Sequence, residues 1–454
     1  MTIQEYLASL QEKTAAVLGI GVSNTPLIEL LCRNGVQVIA CDKKSREDLG
    51  EHAKQLEALG AHLQLGEGYL DDLRADVVFR TPGMRPDVPA LLEAKARGSI
   101  VTSEMEIFFE VCPCTIIGVT GSDGKTTTTS IIAEMLRAAG KTVYLGGNIG
   151  RPLLPEIRDV KPEDVAVVEL SSFQLISMRR SPNVAVITNL SPNHLDVHKD
   201  MDEYVNAKKN VLLHQNAFGR TVLNADNALT AACAADTRGM TYMFSRREKT
   251  NGAWCSADGK IYFGDEYIME ESDIRIPGKH NVENYLAAIS AVWGDVSKEV
   301  IRTVAKEFNG VEHRMEFVRE LDGVTWINDS KGTNVDSTQK AIATMNRPTV
   351  LILGGSDKKV SFDPLAKSIV EAPLIEHCVL IGDTANQIKD ALDRAGYSAY
   401  TMTGYDFDLC LATCRKLAKK GGNVLLSPAC ASFDMFTDYE NRGQIFKEKV
   451  MAMK

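Results

Sequence analysis

The sequence has no apolar run approaching the ~18 residues of a membrane span, so no bilayer-crossing helix is expected. Its start, MTIQEYLASLQEK, carries charges and lacks an apolar core, so it does not read as a secretory signal. Positive charge is scarce. Lys plus Arg total 51 against 60 Asp plus Glu, a net charge of -9, which disfavours nucleic acid as the main partner. Anionic small molecules stay possible, because local lysines and helix N-termini can hold them. The ten cysteines are scattered, and Cys112-Pro113-Cys114 is the one tight pair. Nothing downstream offers matching metal spacing, so reduced cysteines in a cytoplasmic protein are the expectation. No fixed-period repeat and no low-complexity linker interrupts the chain.

What is present is alternation. Short apolar runs (AAVLGIG, VQVIACD, TIIGVTG, DVAVVEL, NVAVITNL, TVLILGG, HCVLIG, NVLLSP) alternate with helix-period segments through all 454 residues. Uninterrupted apolar strands between helices indicate parallel α/β sheets, and the length suggests about three domains. Boundaries near 98 and 298 give domains 1–98, 99–297 and 298–454. The absence of polar linkers predicts that they pack around shared ligands.

One stretch carries the clearest chemistry. GVTGSDGKTTTT lies between the strand-like TIIGV and a helix-like run. Gly121, Ser122, Asp123, Gly124, Lys125, Thr126 and Thr127 form a loop whose N–H groups can curl around a phosphate. The lysine would reach the terminal phosphates, and the Thr126 hydroxyl could bind Mg²⁺. Val119 stands where the strict G-x-x-x-x-G-K-[ST] pattern has its first glycine. Such a loop needs an acidic partner for its metal. Glu169 ends an apolar strand, the edge at which α/β sheets hold ligands, and Ser171, Ser172 and Gln174 follow it. A second strand ends at Asn189 and is followed by His194, Asp196 and His198, of which a histidine could ligate a second cation.

Together these residues resemble the Mur ligase family, ATP-dependent amide-forming ligases of peptidoglycan precursor synthesis, along the whole chain. The family's TGTNGKTT-like loop is close to TGSDGKTT here and also lacks the extra glycine. The resemblance implies an α/β protein of three domains: a Rossmann-like N-terminal domain, a central P-loop ATPase-like domain and a Rossmann-like C-terminal domain. It makes Glu169 and His194 metal ligands for one or two Mg²⁺ ions. The YxxAK run ending at Lys208, with Lys209 adjacent, is similar to the segment that carries a carbamylated lysine. Such a carbamate would be a further oxygen ligand to the metal. The resemblance assigns catalysis to Lys125, Glu169, His194 and Lys208. It adds Asn281 and Asn284 from GKHNVENYLAA, Arg314 from HRMEFV, and Asp329, Lys331, Thr333 and Asn334 from NDSKGTN to the ATP site.

Three further runs, LSSFQL, LGGSDKK and LSPACASFDMFTDYENRG, are similar to family members that add D-glutamate. They imply that Lys358, Thr333, Ser432, Phe433 and Tyr439 hold the incoming amino acid. GIGVSN near the start is an incomplete dinucleotide motif, since Asn24 replaces its third glycine, so NAD is disfavoured. The resemblance puts a UDP diphosphate on Gly21, Val22 and Ser23, with Asp42 and Lys43 near the uridine. RTPGM, containing Gly83, would add to that pocket, and Asn148 would meet the muramoyl-peptide end. The implied substrates are ATP, UDP-N-acetylmuramoyl-L-alanine and D-glutamate, and the expected protein is a cytoplasmic monomer without nucleic acid or membrane partners. Three rival readings remain: a folylpolyglutamate-type ligase, a P-loop switch that hydrolyses nucleotide, and a dinucleotide oxidoreductase.

Overall fold

Three apolar clusters of parallel strands organise the chain. In a computed structural model, every residue is described except Val22, Ser23, Gly150, Arg151, Leu195, Asp196, Pro277, Lys358 and Lys359. The expected roles of Val22, Ser23 and Lys358 therefore lie outside the described residues. The first sheet contains β1 (Thr14–Leu18), β2 (Gln37–Asp42), β3 (His62–Leu65), β4 (Val77–Phe79) and β5 (Ile100–Thr102). All pairings are parallel, in the order β3-β2-β1-β4-β5. Ala15 to Leu18 are fully buried, which is why this run shows no polar alternation. Strand order reverses between β1 and β4, and their following loops meet there. A Cβ placed on Gly19 would lie 3.4 Å from Cβ of Thr81.

The second sheet is also wholly parallel. It contains β6 (Thr115–Thr120), β7 (Val143–Gly147), β8 (Val165–Glu169), β9 (Val184–Ile187), β10 (Arg220–Asn224) and β11 (Met240–Phe244). Its order is β11-β10-β9-β6-β8-β7, so β6 sits centrally with β8 and β9 on either side. A small antiparallel sheet follows, made of β12 (Ala253–Cys255), β13 (Lys260–Phe263) and β14 (Glu266–Glu270). Helices Lys125–Ala138 and Lys279–Val292 pack side by side over one face of the parallel sheet. Helix Lys298–Glu307 adds Ile301, Val304 and Ala305 to the same core. The first compact unit accordingly runs from Met1 to Phe308, past the expected boundary near 298. Within it the two parallel sheets share an apolar cluster that joins Ile3, Val17 and Phe79 to Phe108, Ile116 and Leu170.

The second unit, Asn309–Lys454, has its own sheet. Its strands are β15 (Glu316–Leu321), β16 (Val324–Asn328), β17 (Thr349–Gly354), β18 (Ile375–Ile381), β19 (Tyr400–Gly404) and β20 (Asn423–Leu426). The order is β15-β16-β20-β17-β18-β19, with only the β15–β16 pair antiparallel. The fold is thus the expected three-part α/β arrangement, with two wholly parallel sheets and a third that is parallel but for its β15–β16 edge.

Glu104 begins the helix Glu104–Val111 that leaves the first sheet, and its side chain is buried. Its Oε1 accepts a hydrogen bond from the Leu154 N–H at 3.0 Å, but burial outweighs this and pushes the carboxyl up to about 7. The folded pKa lies above the unfolded one. The associated stability is therefore complete below about pH 4.5 and is lost as pH rises through about 7. Glu104→Gln, which keeps an acceptor for Leu154, is expected to stabilise the protein by about 1–3 kcal/mol at pH 8 and to be near neutral at pH 5. Denaturant unfolding at the two pH values checks this. An equal effect at both would remove the carboxyl's titration as the cause.

Candidate functional site

The P-loop is built by a strand that stops and a helix that starts with little between them. β6 ends at Thr120 and the helix begins at Lys125, so Val119 is a buried strand residue and the loop proper starts at Gly121. Gly121 has φ +151°, and a Cβ there would stand 1.9 Å from Oγ1 of Thr188. Gly124 has φ +77°, and a Cβ would lie 2.3 Å from Oδ1 of Asn284. Both positions therefore demand glycine on backbone and on spatial grounds.

The loop is pinned from outside by the segment after β9. Ser122 N–H donates to the Asn189 carbonyl at 2.8 Å, and Asp123 N–H donates to Asn189 Oδ1 at 3.0 Å. Thr188 Oγ1 donates to the Asp123 carbonyl at 2.6 Å. Ser122 Oγ donates to the Ser191 carbonyl at 2.9 Å and stands 2.8 Å from the Tyr204 hydroxyl. Lys125 Nζ curls over the loop and donates to the carbonyls of Gly121 and Ser122, at 3.0 and 2.8 Å. Asn284 reaches the same turn: Thr128 Oγ1 donates to its Oδ1 at 3.2 Å, and its Nδ2 donates to Asn281 Oδ1 at 3.1 Å. The structure thereby brings Asn284 to the loop, with Asn281 bonded to it.

Beside the loop lies a set of hard oxygen donors. Thr126 Oγ1 donates to Glu169 Oε2 at 2.7 Å, and Asn148 Nδ2 donates to Glu169 Oε1 at 2.9 Å. Thr126 and Glu169 are both buried. A carboxylate and a hydroxyl at a P-loop helix start suit Mg²⁺ chemically, since that ion prefers oxygen ligands. Among the described residues no cluster of three or more His, Cys, Asp or Glu side chains forms a metal cage.

The register of the adjacent lysines is unambiguous. Lys208 is buried, with Nζ donating to the Gly121 carbonyl at 2.8 Å and to Thr120 Oγ1 at 3.3 Å. Its Nζ also lies 4.9 Å from the Tyr204 ring centre. Lys209 points elsewhere, into an ion pair with Asp236 at 2.5 Å. Burial, reinforced by the Lys125 charge, holds the Lys208 amine well below the usual lysine range. His194 sits in a left-handed turn (φ +54°) with its ring 5.1 Å from that of Phe173. His198 stacks on the same Phe173 at 5.5 Å, is buried, and lies 2.9 Å from Ser172 Oγ.

At the first sheet, Asn24 Nδ2 donates to the Leu18 carbonyl at 2.9 Å and closes the turn that a third glycine would occupy. Asp42 is buried, and its oxygens accept from the N–H groups of Ile20 (2.6 Å) and Lys44 (2.9 Å), which braces the loop after β1. Lys43 is exposed, and at Gly21 and Gly83 a Cβ would meet nothing within 4 Å, so these loops face open space. The residue that organises RTPGM is one that sequence reasoning left without a role. Arg80 is buried and donates to the carbonyls of Thr81 and Pro82, both at 3.1 Å, and of Met84 at 2.5 Å. It also donates to the Phe173 carbonyl and to Ser177 Oγ, both at 2.9 Å. Burial lowers its pKa to about 10. It ties the loop after β4 to the LSSFQL turn.

In the second unit, distant segments are stitched at the strand ends. Ser427 Oγ donates to Asp329 Oδ2 at 2.6 Å, and the Met315 N–H donates to Oδ1 at 3.2 Å. Burial still raises the Asp329 carboxyl to about 6. Arg442, fully buried, donates to Ser330 Oγ and carbonyl, both at 2.9 Å, and to the carbonyls of Cys430 and Ala431, at 3.1 and 3.2 Å. It joins NDSKGTN to SPACASFDMFTDYENRG. Within the joined segments Ser432 is 1% exposed, and its Oγ has no hydrogen-bond partner among the described residues. Phe433 is exposed, and the Tyr439 hydroxyl donates to Glu440 Oε1 at 3.0 Å. Arg314 is exposed, while Lys331 and Thr333 are half-buried on the loop after β16.

A central parallel sheet with a glycine phosphate loop, a threonine–glutamate oxygen pair and a buried lysine defines a P-loop nucleotide-binding α/β protein. Residues 119–292 match the Mur ligase middle domain, and residues 313–430 match the Mur ligase glutamate ligase domain. The UDP-N-acetylmuramoylalanine–D-glutamate ligase of Clostridium novyi is 47% identical over 455 residues, covering 99% of each chain. That of Acetivibrio thermocellus is 46% identical, covering 100% of this chain and 99% of the relative. The chain belongs to the Mur ligase family. Among solved structures, MurC of Thermotoga maritima aligns with a TM-score of 0.56 at 19% identity, covering 98% of this chain and 100% of that one. MurF of Acinetobacter baumannii aligns with a TM-score of 0.59 at 15% identity, covering 100% and 99%. Both likenesses are of fold.

Proposed function

We propose that the chain is an ATP-dependent ligase that joins D-glutamate to UDP-N-acetylmuramoyl-L-alanine in peptidoglycan precursor synthesis, acting as a cytoplasmic monomer. The observation that carries this reading is the Thr126–Glu169 pair beside Lys125, in a chain similar along its whole length to D-glutamate-adding ligases.

Carboxylate and ammonium do not condense in water without activation. The L-alanine carboxylate attacks the γ-phosphorus of ATP, which gives an acyl phosphate and ADP. The D-glutamate amine then attacks the acyl carbon, an amide forms, and phosphate leaves. The first step brings two anions together, so charge neutralisation dominates its barrier. Lys125 and the N–H groups at the helix start offset charge on the phosphates, and in the second unit Arg314 and Lys331 are the cations that the family resemblance assigns to ATP. Mg²⁺, one or two ions, would be held by Thr126, Glu169, His194 and a Lys208 carbamate and would supply electrostatic neutralisation of the transferring phosphoryl group. Gly121, Ser122, Asp123, Gly124, Thr127, Asn281 and Asn284 complete the nucleotide site of the first unit, and Asp329 is the ATP residue that the family resemblance assigns to the second. The loops around Gly21, Asp42, Lys43 and Gly83, with Asn148, position the UDP-sugar substrate. Thr333, Ser432, Phe433 and Tyr439, with Lys358, receive D-glutamate, and the unpartnered Ser432 hydroxyl suits a carboxylate acceptor there.

The test is ADP release with UDP-N-acetylmuramoyl-L-alanine and a panel of amino acids. D-glutamate is expected to stimulate turnover roughly 10²-fold over L-glutamate or L-lysine, because a site built to bond a substrate group rejects analogues that misplace it. Equal stimulation by L-lysine or by D-alanyl-D-alanine would assign the chain to a sister ligase. Full ADP release without any acceptor would make it a nucleotide switch.

A further inference from the structure

Outside the nucleotide and substrate loops, one pair of reactive side chains stands together without a role. Cys112 follows the helix Glu104–Val111 as its C-cap, and Cys114 immediately precedes β6, the strand that carries the P-loop. Their sulfurs lie 3.5 Å apart. None of the ten cysteines is in a disulfide, and of them Cys32 and Cys112 are partly exposed. Cys410 and Cys414, one helical turn apart, are both sealed in the core. Cys112–Cys114 is therefore the thiol pair that combines proximity with access.

The two sulfurs are not equivalent. The contact between the sulfurs, in which either can donate, draws the Cys112 thiol below the usual range and pushes the Cys114 thiol above it. The exposed member is thus the nucleophile and the buried member, 7% exposed, its neighbour in reserve. Cys112 has left the helix (φ -66°, ψ 121°), and strand pairing begins only at Thr115, so neither cysteine is held in a regular ladder. A disulfide needs the sulfurs to approach from 3.5 Å to about 2.05 Å.

We propose that Cys112 and Cys114 form a thiol oxidation site that hydroperoxides convert to an intramolecular disulfide. The Cys112 thiolate attacks the terminal peroxide oxygen, the O–O bond breaks, and the alcohol or water leaves as Cys112 becomes a sulfenic acid. Cys114 then loses its proton, its sulfur attacks the Cys112 sulfur, and hydroxide leaves as water. Two thiols are oxidised by two electrons, and one hydroperoxide is reduced to alcohol plus water. This inference is independent of the ligase reading, because neither cysteine touches the nucleotide loop.

The experiment exposes the reduced full-length protein to one equivalent of hydrogen peroxide, followed by intact-mass and peptide analysis. The expected result is a loss of about 2 Da in the peptide holding residues 112 and 114, reversed by dithiothreitol. Cys114→Ser should stop at a sulfenic acid on Cys112 that dimedone captures, and Cys112→Ser should show neither product. Alkylation at pH 7 should favour Cys112 over Cys32 by roughly tenfold. An unchanged mass, oxidation of Cys32 first, or accumulation of sulfinic acid on Cys112 in the parent would overturn the proposal. The serine variants are read for mass alone, and because both sites are short loop positions, circular dichroism confirms that they fold.

Discussion

Replacing Lys125 with alanine is expected to lower kcat roughly 10³-fold while leaving the thermal midpoint within a few degrees of the parent. The reasoning starts from charge. The acceptor carboxylate and the γ-phosphate are both anionic, and their approach is opposed until cations converge on the transferring group. Lys125 Nζ rests on the carbonyls of Gly121 and Ser122, at the first residue of the helix that follows β6. Its loss removes a charge from the reaction but little from the fold, since the Gly121 carbonyl keeps its bond from Lys208 Nζ at 2.8 Å and the loop stays pinned by Asn189. The measurement is ADP formation under saturating substrates, paired with a melting curve. Turnover within about tenfold of the parent would remove Lys125 from the phosphoryl-transfer step.

The parts of this site legible from sequence are those where one local residue type is obligatory. Gly121 and Gly124 needed positive φ and space for no side chain, so the loop announced itself. The parallel strands were legible because residues such as Ala166 to Val168 and Leu351 to Leu353 are buried on both faces and show no alternation. Contacts that depend on chain separation were not legible. Arg80 reads as an ordinary loop arginine until the fold carries Phe173 and Ser177 to it. Ser122 meets Tyr204 across 82 residues, and Asp329 meets Ser427 across 98. The antiparallel strands β12 to β14 are short and partly polar, and only Gly259 and Gly264 at their turns hinted at hairpins. Helix Lys298–Glu307 is amphipathic and could serve either neighbour, and the core it joins, with Ile301, Val304 and Ala305, is settled by packing rather than by its own sequence.

Lys208→Ala is expected to be the most damaging change in the middle domain after Lys125→Ala, with kcat down roughly 10³-fold and partly restored by added formate or acetate. A lysine rarely sits buried without a carboxylate hydrogen-bonded to its amine, and among the described residues Lys208 bonds to a carbonyl and a hydroxyl and faces an aromatic ring. Burial and the nearby Lys125 charge both disfavour its ammonium form. A neutral amine can add to carbon dioxide, losing a proton and becoming a carbamate. That reaction turns a costly buried cation into an anionic oxygen donor beside Thr126 and Glu169. Small carboxylic acids mimic the carbamate's two oxygens and fit the space an alanine leaves, which is why rescue distinguishes this role from simple packing. Lys209→Ala is the control, because its ion pair with Asp236 is near the surface and its removal should change turnover less than about twofold. Damage of equal size at both lysines, or an alanine variant at 208 that no carboxylic acid restores, would leave Lys208 a structural residue and require another source of oxygen for the metal.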